Sequence, residues 1–233
     1  MKNNPLKPID DDAIGKIPSH WKVLRLKEVA NIQNSNVDKK SHDHEKTVKL
    51  CNYVDVYKND FINSSLEFMQ ATANDSEIAK FQIFKGDVFI TKDSETCEDI
   101  AVPALATETL EGVLCGYHLA QIRCNKKIIL GEYLFRLFQS QRFGERFTVF
   151  AKGITRVGLG QSAIADALTP IPPLEEQLEI INKIRCSTEL TDKAILNLSR
   201  QIEKLKELRI AVVNDAITGK IRLKNTTKRG SAA

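Results

Sequence analysis

The chain has 233 residues, 42% of them hydrophobic and 27% charged, enough for a core plus one extended element or for two small domains. That hydrophobic fraction argues against disorder, and no run nears the ~18 uninterrupted apolar residues that a membrane span needs. The net charge of +4 says little as a total, but residues 1–173 carry 22 basic and 22 acidic side chains, so the whole excess falls in 174–233, with 12 against 8.

The opening Met1-Lys2-Asn3-Asn4-Pro5 has no apolar segment of a secretory signal. Five cysteines (Cys51, Cys97, Cys115, Cys124 and Cys186) at wide, irregular gaps read as unpaired thiols of a reducing compartment, which predicts a soluble, cytoplasmic protein.

Up to about residue 170 the pattern is mixed. Runs at Val48–Val56, Asp87–Thr91 and Val113–Ile122 have the branched and aromatic bias of strands. Lys85-Gly86-Asp87 supplies a turn before the second. Residues 131–150 are spaced for a helix, with Leu134, Leu137, Phe138 and Phe147 on one face and Gly144 weakening it. Gly153, Gly158 and Gly160 then make a loop, Ser162 is placed to cap a short helix through Asp166, and Pro170, Pro172 and Pro173 predict an extended hinge.

From Leu174 to Thr218 there is neither Gly nor Pro, and Gly219 stands where a helix would be capped. An apolar stripe through Leu178, Ile181, Ile184, Ile195, Leu198, Ile202, Leu205, Leu208 and Val212 recurs with a mean step near the ~3.5 residues of a coiled coil. Thr188 and Thr191 interrupt it as a local break or a register device. Such a helix, roughly 65 Å long at 1.5 Å per residue, asks for a partner helix; the alternative is that it folds back on its own domain. The polar residues from 224 to 233 predict a disordered tail.

The search for chemistry finds little that is enzymatic. The phosphate-cradling GxxxxGK[ST] pattern is absent, and Gly158-Leu159-Gly160-Gln161-Ser162-Ala163 departs from the dinucleotide fingerprint in its third small position and lacks a strong preceding strand. For metals, His42-x-His44 and Cys115-x-x-His118 with Cys124 lack paired CxxC spacing, so no metal is expected.

Charge segregation is more informative. Residues 75–111 hold nine acids against three lysines, and 123–156 hold eight bases against two acids, a local +6 that fits a phosphate backbone. The alternative is a solvated face whose charges pair with the acidic stretch. Two polar runs succeed strands, Thr91-Lys92-Asp93-Ser94-Glu95 and Gly116-Tyr117-His118. They are placed either to hold recognition groups at strand ends or simply to make turns and a core Tyr–His pair.

Several segments together resemble a known family. Ile17-Pro18-Ser19-His20-Trp21 with Arg25-Leu26-Lys27-Glu28-Val29-Ala30 is similar to the opening of a target-recognition domain in specificity subunits of type I restriction–modification systems. Gly153-Ile154-Thr155-Arg156-Val157-Gly158-Leu159 is similar to that domain's closing loop. Ile171-Pro172-Pro173-Leu174-Glu175-Glu176-Gln177, the heptad helix and Ala216-Ile217-Thr218-Gly219-Lys220-Ile221 resemble the helical region next in that family's chains.

The resemblance implies an α+β (mixed α/β) target-recognition domain at 1–170 and a long dimerising coiled-coil helix within 171–223. It also implies a non-catalytic subunit that binds double-stranded DNA and directs a DNA adenine methyltransferase subunit and an ATP-dependent restriction subunit. S-adenosylmethionine, ATP and magnesium would belong to those partners, and this chain would carry no cofactor. Family members usually carry two such domains; one domain implies a half-size form that dimerises and prefers an interrupted palindrome. Expected phosphate contacts are Lys126, Lys127, Arg142, Arg146 and Lys152. Expected base or groove contacts are Lys92, Ser94, Glu95, Tyr117, His118, Thr155 and Arg156. A coiled-coil adaptor without DNA specificity, or a small DNA-modifying enzyme, is the alternative.

Overall fold

The computed structural model describes residues 5–153 and 156–220. Thr155, an expected base contact, and the tail expected to be disordered at 224–233 lie outside the described residues. Two compact units divide the chain, one ending at Ile181 and the other beginning at Asn182. The first is the mixed α/β unit expected, and it extends past 170 because Gln177 and Ile181, in the opening turns of the long helix, are buried in it.

Its centre is a five-stranded sheet in the order Ala30–Asn34, Leu119–Cys124, Val88–Thr91, Pro103–Ala106, Phe61–Ile62. A second sheet of four strands runs Met69–Ala73, Lys46–Cys51, Leu110–Cys115, Gln82–Ile83. The Val88–Thr91 strand is buried on both faces: Val88 and Ile90 enter a core with the helix Gly131–Gln139, while Phe89 enters a second core with Leu50 and Leu114 of the other sheet and Phe81 of the helix Asp75–Phe81. That is why Val88-Phe89-Ile90 reads as a continuous apolar run with no alternation.

Three sequence expectations change in detail. The run at Val48–Val56 is a strand only as far as Cys51; Tyr53–Lys58 is helix, opened by the Asn52 N–H donating to Asp55 Oδ2 at 2.7 Å. The run at Val113–Ile122 is two strands in different sheets, parted by the Gly116–His118 turn. The helix expected over 131–150 breaks at Ser140, not Gly144, into Gly131–Gln139 and Gln141–Glu145. Gly144 is needed where it stands, because a Cβ there would lie 2.6 Å from the Phe138 carbonyl oxygen. Gly131 likewise packs backbone to backbone, since its Cβ would lie 2.0 Å from the Gly86 carbonyl oxygen.

Near the end of this unit, where an extended hinge was expected, Leu168–Ile171 is a strand paired with Lys22–Arg25. The helix Gln161–Ala165 is preceded by Gly160 as its capping position, so Ser162 lies inside it. The pairing with Lys22–Arg25 brings the Ile17–Trp21 and Ile171–Gln177 segments together. Trp21 Nε1 donates to Glu176 Oε2 at 2.8 Å, and His20 Nε2 lies 2.6 Å from Oε1. Gln177, fully buried, accepts from the Leu130 N–H and donates to the carbonyls of Ile128 and Pro172, each at 2.9 Å. Every polar atom of that side chain therefore has a partner, as a buried amide requires.

The single helix Leu174–Ile217 has 44 residues. Its end is a glycine cap of the Schellman type. Gly219 sits at φ +72°, the Lys220 N–H bonds the Asp215 carbonyl at 2.9 Å, and the Gly219 N–H bonds that of Ala216 at 3.2 Å. Leu178, Ile195, Leu198, Ile202, Leu205, Leu208 and Val212 of the expected stripe are exposed, and Ile184 is half-buried. Ile181 departs from that expectation. It is 3% exposed and packs in the core of the first unit, so it is not available to a partner helix. Among the described residues no helix is long and apolar enough to cross a membrane.

Candidate nucleic-acid interface

The Val88–Thr91 and Leu119–Cys124 strands run antiparallel, with Thr91 opposite Leu119. The end of one and the start of the other therefore place the two polar runs side by side. Thr91 is fully buried and anchors the polar run at its base: its hydroxyl donates to the Asp99 carbonyl and accepts from the Val102 N–H. The Lys92 N–H then donates to the His118 carbonyl at 3.1 Å, and the Leu159 N–H to the Lys92 carbonyl at 2.6 Å. Asp93 and Ser94 pair antiparallel with Gly158 and Val157. This short ribbon brings Val157 and Gly158, with the neighbouring Arg156, to the same end of the sheet.

Asp93 organises the side chains. His118 Nδ1 lies 2.5 Å from Asp93 Oδ1, and Arg156 Nε lies 3.9 Å from the same oxygen. Tyr117, 48% exposed, meets the His118 ring edge-on at 5.1 Å. Lys92 Nζ sits 4.5 Å over the Tyr117 ring and donates to the Ser35 carbonyl at 3.0 Å. Partial burial holds its ammonium below the usual lysine range. Ser94 is buried and lies 3.2 Å from the Tyr53 hydroxyl, and Tyr53 stacks on Tyr57 at 5.5 Å. Asp99, beside Tyr57, raises that phenol by accepting its hydrogen bond. Glu95 is exposed and has no hydrogen-bond or ion-pair partner among the described residues.

Lys92, Ser94, Glu95, Tyr117, His118 and Arg156 thus share one end of the sheet. Lys152 joins them through its backbone pairing with Gly158. Beside the ribbon an open cleft of about 560 Å3 is lined by Phe150, Lys152, Gly158, Ser162 and Asp166 among others.

The remaining basic residues lie elsewhere. Lys126 and Lys127, both exposed, come after Cys124 at the opposite end of its strand, about 20 Å from His118 for six residues at ~3.3 Å each. Arg142 is exposed on the Gln141–Glu145 helix near Gly15. Arg146 turns inward, donating to Asp11 at 2.6 Å and to the Leu168 carbonyl at 3.1 Å, with its guanidinium over the Phe143 ring. Arg123 is engaged with Asp87 and Gln82. Of these charges, Arg123 meets an acid of the 75–111 stretch, Asp87, while Arg146 is spent inside the fold on Asp11, outside that stretch.

Asp93, Tyr53 and Tyr57 are not marked by the sequence as site residues. Asp93 lies inside one of the two polar runs, and its acidity disguises its part in holding His118 and Arg156. Tyr53 and Tyr57 stand four apart, a spacing that speaks only once 53–58 is read as helix. Of the possible metal groups, His42 and His44 are exposed with rings 5.8 Å apart, and no group of three potential ligands occurs among the described residues. Cys115 and Cys124 are buried thiols, the latter pushed up to about 12 by desolvation, so they pack as small hydrophobes.

Comparison with known proteins gives the arrangement a context. The chain is 24% identical over 206 residues to the protein assigned as the type I restriction enzyme MjaX specificity subunit of Methanocaldococcus jannaschii, covering 88% of this chain and 47% of that one. It is 22% identical over 219 residues to the MjaVIII specificity subunit of the same organism, covering 94% and 50%. The chain therefore spans about half the length of these curated relatives. A chain solved in work on complex assembly and conformational transition of the type I R-M system shares the fold, with a TM-score of 0.57 at 17% identity over 86% of this chain and 46% of that one. The family model described as type I restriction modification DNA specificity domain matches residues 18–207, and the chain belongs to that family.

Proposed function

We propose that this chain is a DNA sequence-recognition module, itself without catalytic activity, that brings a DNA adenine methyltransferase subunit to its site. In a full complex it also brings an ATP-dependent restriction subunit. One observation carries the reading: in a chain of this family, the hydrogen-bonding side chains around Asp93 converge on one sheet end beside the exposed cations Lys152 and Arg156. Duplex recognition needs that combination, base-reading groups flanked by charges that hold phosphate. Lys152 is the proposed phosphate contact; Tyr117, His118, Glu95 and Arg156 are the proposed groove contacts. Ser94 and Lys92 support them from beneath.

The exposed apolar stripe from Ile195 to Val212 takes a partner helix. A second copy of the chain is the proposed partner, and two identical modules would favour an interrupted palindrome. Five free thiols agree with a cytoplasmic setting. The family match does not favour a protein-only adaptor or a small DNA-modifying enzyme.

The test is recovery of the tagged chain from lysate of its source cells, with partners identified by mass spectrometry and DNA binding measured against salt. A methyltransferase subunit in stoichiometric amount and salt-dependent duplex binding are expected. A different dominant partner with no salt-sensitive DNA binding would overturn the reading.

A further inference from the structure

The ribbon that pairs Asp93–Ser94 with Val157–Gly158 has one face inward and one outward. Ser94 and Val157, opposite each other, are buried. Side chains alternate along a strand, so the next position of the ribbon belongs to the outer face. On one strand this is Asp93 and on the other Gly158; Glu95 and Arg156, just beyond the buried pair, are both exposed. The register pairs Asp93 with Gly158 and Ser94 with Val157, and Glu95 and Arg156 are the next residues beyond the Ser94–Val157 pair on the two chain segments. Because Gly158 has no side chain, the Arg156 guanidinium lies diagonally over Asp93, with Nε 3.9 Å from Oδ1. That oxygen is already committed to His118. The guanidinium is therefore steered without being used up, and its side chain stays 56% exposed.

A carboxylate without a partner is out of place on a face that meets phosphates, unless it points at a donor. Glu95 is such a carboxylate, one residue past the same ribbon pair as Arg156, whose terminal nitrogens have no hydrogen-bond partner among the described residues. In the major groove, guanine offers two acceptors, O6 and N7, to one fork, and its partner cytosine offers the N4 donor to a carboxylate. Adenine and thymine offer no such division: adenine puts a donor beside its acceptor, and thymine a methyl group. The groove also admits a two-stranded β-ribbon.

Resting on the DNA-recognition reading above, we propose that this ribbon enters the major groove and that Arg156 and Glu95 together select one C·G base pair. Arg156 bonds the guanine and Glu95 the cytosine. Asp93 is the positioning residue that aims Arg156.

The experiment selects bound sequences from a pool of randomised duplexes, using the full chain co-expressed with the methyltransferase subunit of its own system. The wild-type motif is expected to contain an invariant C·G pair. Arg156→Ala and Glu95→Gln are each expected to lose about 5- to 150-fold discrimination at that same pair and to keep the rest of the motif. Arg156→Lys keeps the charge without the fork, so it should lose the same discrimination while the salt dependence of binding stays unchanged. Asp93→Asn should relax the same pair, which a merely structural role would not do. Both principal sites are exposed, and thermal melting verifies that the variants fold.

A wild-type motif that Arg156→Ala and Glu95→Gln leave intact at every position overturns the proposal and leaves DNA recognition standing. So does an Arg156→Ala variant that keeps full discrimination at that pair but lowers the salt dependence of binding, which would make Arg156 a phosphate contact. A wild-type complex that selects no motif overturns the recognition reading and this proposal together.

Discussion

At the two ends of the Val88–Thr91 strand a carboxylate meets an arginine. At the start, Asp87 is buried and takes four hydrogen bonds: two from Arg123 at 2.9 and 2.8 Å, one from Gln121 at 2.7 Å and one from the Phe84 N–H at 3.0 Å. The Arg123 guanidinium is further covered by the Phe84 ring at 4.5 Å. At the other end, Asp93 holds His118 closely and Arg156 only at 3.9 Å. The same residue types make a closed joint in one place and an open, aimed donor in the other. The number of hydrogen bonds already formed separates them, so composition alone cannot tell a structural arginine from a binding one.

Breaking the closed joint should have the largest effect. Asp87→Ala leaves Arg123 and Gln121 without their acceptor, and chemical denaturation should show a loss of about 3 kcal/mol. Arg156→Ala, the matching change at the open end, should stay within about 0.5 kcal/mol of wild type in the same measurement. Equal losses would erase the distinction drawn between the two ends.

The long helix permits a comparison of similar size. Ile181→Ala empties a buried site and should cost the first unit about 2–3 kcal/mol, whereas Leu205→Ala should leave that unit's stability unchanged and weaken self-association in sedimentation. A smaller effect separates the basic residues. Lys152→Ala should lower the slope of log binding constant against log salt by about 0.9, the contribution of one phosphate contact. Lys127→Ala, at the far end of the sheet, should leave the slope alone.

The smallest effect is a pH dependence. Hydrogen bonds from Trp21 and His20 hold the Glu176 carboxyl below the usual range. A group depressed in the folded state contributes stability above its unfolded value, about 4.3, and loses it as pH falls through the folded value. Glu176→Gln should therefore melt lower than wild type near pH 7, and the gap should narrow in acid.

Much of this is legible in the residues. The Gly- and Pro-free run from Leu174 to Thr218 announces the long helix with its Gly219 cap, because helix period and capping are local properties. The Lys92–Glu95 and Gly116–His118 runs are recognisable as strand-end groups. Their meeting is not, since it depends on which strands pair. The helix at Tyr53–Lys58 stays hidden because Val54 and Val56 carry strand bias, and the Asn52–Asp55 bond that starts the helix overrides it. Ile181 keeps heptad spacing while belonging to a different core: periodicity marks an apolar face and does not say what covers it.

The backbone contact between Gly86 and Gly131 bears on how such a domain changes over time. With no room for even a methyl group at 131, these two loops are tied together at the end of the sheet away from Asp93, and neither can drift alone. At the other end, the Lys92–Ser94, Tyr117–His118 and Arg156–Gly158 segments are bonded chiefly to one another, through the Lys92 N–H with His118 and the Asp93–Ser94 pairing with Val157–Gly158. A lineage, or an engineer, can therefore exchange those segments for new ones and inherit the frame intact, acquiring a different target without having to solve folding again.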